Sequence, residues 1–206
     1  MQTIFMAVVL LTLLAAVGAV IYLIATRRRR TLAAAEPGIG TVRRLYFYVV
    51  SLVALMMAAN GVVQMAKYVL EALFGDPVLT ASRTGLAIGA SLTIVGLPLW
   101  WLHWRAIQRY VGEMSVEAGS LVRKLYVYLV LGVALGFVVA PAVSILQWAF
   151  GSREFTGYPW AALAIWSGVW AFHWRQESAE GLPTTEALGV RRLYLYLVSP
   201  AMLVML

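Results

Sequence analysis

Long apolar runs, separated by short polar segments, constrain the fold of this chain more than any other feature. Of its 206 residues, 62% are hydrophobic and only 12% are charged, and the mean hydropathy is +0.83. Soluble domains average about 25% charged residues, and a water-soluble fold could not bury so much apolar surface. Because about 20 mostly apolar residues cross a bilayer as a helix, we predict an all-α polytopic integral membrane protein. It has about six spans, of which the last is incomplete.

The first predicted span is an N-terminal anchor helix, from Ile4 to Ala25. No charge precedes it and Arg27 to Arg30 follow it, which favours a retained helix over a cleaved signal peptide. Further spans are expected at 42–74, 82–110, 120–150 and 159–175, and a sixth begins near residue 190. We therefore divide the chain into an anchor (1–30), a first hairpin repeat (31–110), a second (111–176), and a linker that opens a third repeat (177–206).

The distribution of basic residues predicts the orientation in the membrane. With the N-terminus outside, 13 of the 16 basic residues fall on the cytoplasmic side, and only Lys67, Arg83 and Arg153 fall outside. The positive-inside rule describes this asymmetry over short loops. We therefore predict a multi-pass protein of the bacterial inner (plasma) membrane. The net charge of +7 then reflects topology, and no nucleic-acid partner is expected.

Two repeated motifs predict helical hairpins. VRRLYFY at 42–48 returns as VRKLYVY at 122–128 and as VRRLYLY at 190–196, and W-x-x-H-W-R occurs at 100–105 and 170–175. Each hairpin enters through the first motif and leaves through the second on the same side. Since the third copy opens a hairpin that these residues do not close, we expect a longer array with another W-x-x-H-W-R near 238–248.

The basic and aromatic residues of these motifs are expected to anchor the helices at the membrane interface, where such side chains are enriched. We assign this role to Arg43, Arg44, Tyr46, Tyr48, Trp104, Arg105, Arg123, Tyr126, Tyr128, Trp174, Arg175, Arg191 and Tyr194.

Small residues predict where membrane helices approach one another closely. Gly85 and Gly89 form GxxxG in the third span, and Gly132, Gly136 and Ala140 form a stripe along the fourth. We expect both sets to pack against neighbouring helices.

The stretch LYFYVVSLVALMMAANGVVQMAKYVLEALFGDP, with Arg83 and LAIGASLTIVGLPLW after it, resembles a bacterial membrane family of unknown function, numbered 5671. The resemblance implies paired helical hairpins, with residues 42–175 as one four-helix domain, and it implies no activity. The second hairpin departs from the family pattern: GSREFTGYPW lacks Asp-Pro, and the helix after it lacks Gly-x-Pro.

His103 and His173 are the two histidines of the chain, and they occupy the same place in the two W-x-x-H-W-R motifs. One hypothesis is axial ligation of a haem iron or a chlorin magnesium, since imidazole suits these metals. The favoured interpretation is an interfacial role, because each histidine is close to an arginine at the end of its span.

A polar face is the second candidate site. Asn60, Gln64, Lys67 and Glu71 share one face of the second span, and intramembrane polar groups are often functional. We expect hydrogen bonds between helices here, with Gln147 of the fourth span as a partner of this face.

For function we expect a non-catalytic integral membrane subunit or scaffold of a larger complex. Its partners would be membrane lipids and other membrane proteins, and no enzyme motif is recognised in the sequence. The alternatives are a haem- or pigment-binding component of electron transfer or light harvesting, and a small transporter or channel lined by the Asn60–Gln64 face.

Overall fold

The computed structural model describes residues 39–75, 83–113 and 119–180, together with 188–189, 191–192 and 194–196. Nearly all of them belong to one compact unit, Arg44–Leu206. The described part is all-helical, with α1 (Ile39–Phe74), α2 (Arg83–Glu113), α3 (Leu121–Ala149) and α4 (Gly157–Ala179). The predicted anchor at 1–30 lies outside the described residues.

Helix ends follow local sequence signals. α3 begins after Ser120, whose hydroxyl accepts a hydrogen bond from the Arg123 amide at 3.4 Å, as an N-cap serine does. The turn after α3 uses Gly151 at φ +71°, a conformation that glycine adopts readily. These two positions place α3 close to its predicted bounds of 120–150.

The helices form two hairpins, hairpin 1 (α1 and α2) and hairpin 2 (α3 and α4). We call the end that carries the repeated motifs the motif end, and the opposite end the turn end. Within hairpin 2, α3 and α4 pack along one another, and Phe137 stacks on Trp166 with ring centroids 4.5 Å apart.

Hairpin 1 is held by glycine contacts. Gly89 and Gly96 of α2 are buried against α1, and a Cβ built on Gly96 would lie 2.6 Å from the Ala58 amide nitrogen. A Cβ on Gly61 of α1 would lie 2.7 Å from the Thr93 amide nitrogen. Glycine is therefore required at the closest approach of the two backbones. The predicted role of Gly89 is confirmed.

The predicted stripe on α3 packs differently from our expectation. Gly132, Gly136 and Ala140 are exposed, and no side chain or foreign backbone lies within 4 Å of a Cβ built on either glycine. Apolar periodicity cannot separate a face that meets lipid from one that meets a helix, since both are apolar. The stripe is therefore an outer surface of the described unit.

Three helices are long and apolar enough to span a membrane: Arg43–Phe74, Arg83–Glu113 and Leu121–Ala149. The fifth expected span forms α4, whose four Trp residues, together with Pro159 and His173, lower its hydropathy. By length and composition the described helices thus support three spans and not the six that we expected.

Candidate functional site

A buried cluster of charges lies at the motif end of hairpin 2. Arg123 and Lys124 belong to the first turn of α3, while Glu177 and Glu180 lie at the end of α4. Because the two helices run antiparallel, the start of one meets the end of the other. We call these four residues and Tyr128 the charge cluster.

The contacts within the charge cluster are short. Lys124 Nζ donates to Glu177 Oε2 at 2.6 Å and to Glu180 Oε2 at 3.2 Å. Arg123 Nη2 donates to Glu180 Oε1, and the Tyr128 hydroxyl donates to Glu177 Oε1 at 2.7 Å. Two positive and two negative groups therefore neutralise one another through direct hydrogen bonds.

Burial makes this pairing important for the stability of the fold. The Arg123 and Lys124 side chains are fully buried, and those of Glu177 and Glu180 nearly so. Breaking a buried pair is expensive because it leaves an uncompensated charge. Arg123 also lies over the Trp104 ring, 5.8 Å from its centroid, which adds a cation–π contact from hairpin 1.

We predict Arg123 and Tyr128 as interface anchors, which stays a prediction, and the structure adds their contacts with carboxylates. We also placed Glu177 and Glu180 in a polar linker and assigned them no role. α4 continues to Ala179, one turn past the expected end at Arg175, and this turn brings both carboxylates to α3. The signal that could have found them is their i, i+3 spacing opposite two adjacent basic residues.

Hairpin 1 has no carboxylates at the two positions equivalent to Glu177 and Glu180. The repeat offset of 70 residues between the W-x-x-H-W-R motifs aligns Glu177 with Ile107 and Glu180 with Tyr110. Ile107 is instead part of the buried apolar core. The carboxylates are therefore a specific feature of the second repeat.

The two histidines have matching surroundings. His103 Nδ1 donates to the Leu99 carbonyl at 2.8 Å, and His173 Nδ1 donates to the Val169 carbonyl at 2.9 Å. Each imidazole also lies 5.9 Å from the first tyrosine of its own hairpin's motif, Tyr46 or Tyr126 respectively. The two hairpins are thus built alike at this position.

His173 is the more enclosed of the two. Since a carbonyl accepts from its Nδ1–H, the lone pair of the neutral ring is on Nε2. That nitrogen is buried without a hydrogen-bond partner. The rings of Trp104, Tyr126 and Phe172 surround the imidazole at 5.1–5.9 Å. A haem or chlorin ligated by Nε2 would have to displace these side chains.

Tyrosines connect successive motifs. The second tyrosine of the first motif, Tyr48, contacts the first of the second motif, Tyr126, with centroids 5.4 Å apart. Tyr128 contacts Tyr194 of the third motif in the same way, at 5.2 Å. These four tyrosines are thus part of the buried core, and their role as interface anchors stays a prediction.

Comparison with protein families identifies the chain. The model of a domain of unknown function, DUF5671, matches residues 44–157, which is more than half of the chain. The protein belongs to the DUF5671 family. No match was found among curated proteins or among solved structures.

The DUF5671 match covers α1 from Arg44, α2 and α3, and it ends at the first residue of α4. It is thus shorter than the 42–175 domain that the resemblance implied. Arg123 and Lys124 lie within the matched region, and their carboxylate partners lie beyond it.

The polar face of this DUF5671 protein differs from our expectation. The Asn60 side-chain amide donates to the Met56 carbonyl of its own helix at 2.8 Å, and Gln147 is exposed. The Gln64 Cβ packs on Gly89. The structure therefore does not join Asn60 to Gln147.

Glu71 connects the two hairpins at the turn end. Its side chain is buried, and its Oε1 accepts from the Gly157 amide, the first residue of α4, at 3.4 Å. Thr156, at the N-cap of α4, makes no capping bond with its own side chain. The carboxylate of α1 therefore supplies the negative charge that a helix N-terminus favours.

The remaining predicted anchors divide by exposure. Arg43, Tyr46, Arg105, Trp174, Arg175 and Arg191 are exposed, Arg44 is half-buried, and Trp104 is buried. Trp104 lies between the hairpins, against Tyr126 and His173. In the described part of the chain, no group of three or more His, Asp or Glu side chains is placed to hold a metal ion.

Proposed function

We propose that this protein is a non-catalytic integral membrane subunit or scaffold, which packs against lipids and other membrane proteins. The proposal rests on the contacts that the buried ionisable groups make. In hairpin 2 the buried charges pair with one another, and Glu71 in hairpin 1 caps α4. These groups serve contacts between helices.

The outer surface supports the same function. α2 exposes a series of large apolar side chains, among them Ile88, Ile94, Val95, Leu97 and Leu102. A helix whose exposed face is apolar fits lipid tails or another membrane helix. This surface suits a subunit that is surrounded by membrane and by partners.

The membrane arrangement that we propose has six spans with an N-terminal anchor, in a bacterial inner membrane with the N-terminus outside. α4 is included as a crossing because its 23 residues extend about 34 Å as a helix, and because it lies along α3. The excess of basic residues at the motif end supports the proposed orientation of the protein in the membrane.

Cysteine labelling tests this orientation, and the chain has no native cysteine to interfere. Ser152 lies exposed in the turn after α3, and Ser178 lies exposed at the end of α4. In intact cells, Ser152→Cys is expected to react with a membrane-impermeant maleimide and Ser178→Cys is not. After permeabilisation both variants should react equally. The opposite pattern in intact cells would reverse the proposed topology.

Pigment binding through His103 or His173 is the alternative function, and the unpartnered Nε2 of His173 is the observation in its favour. We give it second place because aromatic rings enclose that nitrogen.

An absorption spectrum of the purified protein separates the two functions. As a scaffold, the protein is expected to show no Soret or chlorin band, and His103→Gln and His173→Gln should give the spectrum of the parent protein. A stoichiometric pigment that is lost in either variant would replace the scaffold proposal with the pigment-binding one.

A further inference from the structure

The contacts between motifs follow a rule. The second tyrosine of each motif meets the first tyrosine of the next, as Tyr48 meets Tyr126 and Tyr128 meets Tyr194. The interplanar angles are also similar, at 44° and 37°. One mode of contact thus occurs twice within the same chain.

A tryptophan adds to the second of these contacts. Trp170 of hairpin 2 donates from Nε1 to the hydroxyl of Tyr194, in the following motif, at 3.4 Å. Trp100, its counterpart in hairpin 1, stacks on Trp104 with ring centroids 6.1 Å apart, and its buried Nε1 has no hydrogen-bond partner. The tyrosine pair is therefore the contact that both junctions between motifs share.

Burial shows what this contact does to the six tyrosines. The four that have a neighbouring motif, Tyr48, Tyr126, Tyr128 and Tyr194, are 4–7% exposed. Tyr46 and Tyr196 do not make the equivalent contact within the described unit, and they are 56% and 74% exposed. Tyr46 keeps its own His103 contact, so the face that stays open is the one that would meet a preceding motif.

These two open faces are complementary. Tyr196 is the second tyrosine of its motif, and Tyr46 is the first tyrosine of its motif. Within the chain, a second tyrosine already contacts the first tyrosine of the following motif at two places. We propose that a second copy of this chain docks head to tail, with Tyr196 of one copy against Tyr46 of the next. The inference rests on the proposed scaffold role and names one partner for it. Such a heterologous contact builds a ring if the rotation closes and a filament if it does not.

Cross-linking between differently substituted copies tests the contact. Tyr46→Cys and Tyr196→Cys chains, mixed in one membrane and treated with a short bis-maleimide, are expected to give a covalent dimer. Neither variant alone should give one, since a head-to-tail contact never brings two copies of one residue together. The doubly substituted chain should give a ladder of higher oligomers. As a matched control, Val53→Cys, which is also exposed on α1, should not cross-link to Tyr196→Cys.

The mass of the unmodified protein in nanodiscs gives an independent measurement. We expect oligomers, and a roughly tenfold weaker self-association for Tyr196→Ala, since an aromatic pair contributes about that factor. A monomer at all concentrations, or a dimer from Tyr196→Cys alone, would overturn the head-to-tail contact. Either result leaves the scaffold proposal in place, because the absorption spectrum decides that proposal separately.

Discussion

Replacing Lys124 by methionine is expected to lower the free energy of unfolding by about 3–5 kcal/mol, the range for breaking a buried ion pair. The ammonium group is fully buried and bonded to both Glu177 and Glu180. Without it, Glu177 keeps only the Tyr128 hydroxyl as a partner, and a carboxylate remains buried without a counter-charge. Unfolding in mixed detergent micelles, followed by the fluorescence of the eight tryptophans, measures the change.

Two further variants test whether the loss of stability arises from the broken ion pair. Arg175→Gln removes an exposed charge from the same end of hairpin 2 and is expected to change stability by at most about 0.5 kcal/mol. The double variant Lys124→Met with Glu177→Leu removes both charges and should recover most of the loss, because no unpaired charge remains. If Lys124→Met were as mild as Arg175→Gln, the charge cluster would not be formed in the folded protein.

Gly96→Ala is expected to destabilise hairpin 1 by about 1–3 kcal/mol, the usual range for overpacking. The new methyl group would lie 2.6 Å from the Ala58 amide nitrogen and 3.0 Å from the Ala54 carbonyl oxygen. Both atoms belong to the backbone of α1, so a change of side-chain rotamer cannot relieve the clash. The helices must separate, and the loss is measured by the same unfolding assay.

Gly136→Ala is the matched control for this substitution. Gly136 is also a glycine within a long apolar helix, and its new Cβ would meet nothing within 4 Å. Since alanine favours a helix over glycine by about 0.8–1 kcal/mol, this variant should be neutral or slightly more stable. Equal effects of the two substitutions would contradict the close approach of α1 and α2.

The sequence predicted the helices better than it predicted their neighbours. The end of α1 at Phe74 agrees with its predicted bound, and the cap at Ser120 is a local hydrogen bond between residues three apart. In contrast, Gly89 packs and Gly136 does not, although both belong to stripes of small residues. In a membrane protein the apolar pattern is the same toward lipid and toward another helix, so it cannot assign these faces.

The candidate site was missed for a related reason. A polar segment after an apolar run usually indicates a linker, and Glu177 and Glu180 follow W-x-x-H-W-R in this way. Their burial depends on partners more than 50 residues earlier in the chain. The i, i+3 spacing of the two carboxylates indicates that they share a helix face only if α4 is already known to extend past Arg175, whereas the repeated tyrosines could have indicated the contact between motifs directly.

The cap that Glu71 provides for α4 also has a consequence for synthesis of the protein. Glu71 accepts a hydrogen bond from the Gly157 amide, and it leaves the ribosome 86 residues earlier than that glycine. At about 5–20 residues per second, the carboxylate precedes its partner by roughly 4–17 s. During that interval its available companion is Lys67, one turn earlier on the same helix. Hairpin 1 can therefore enter the membrane with this carboxylate already beside a counter-charge, before α4 exists.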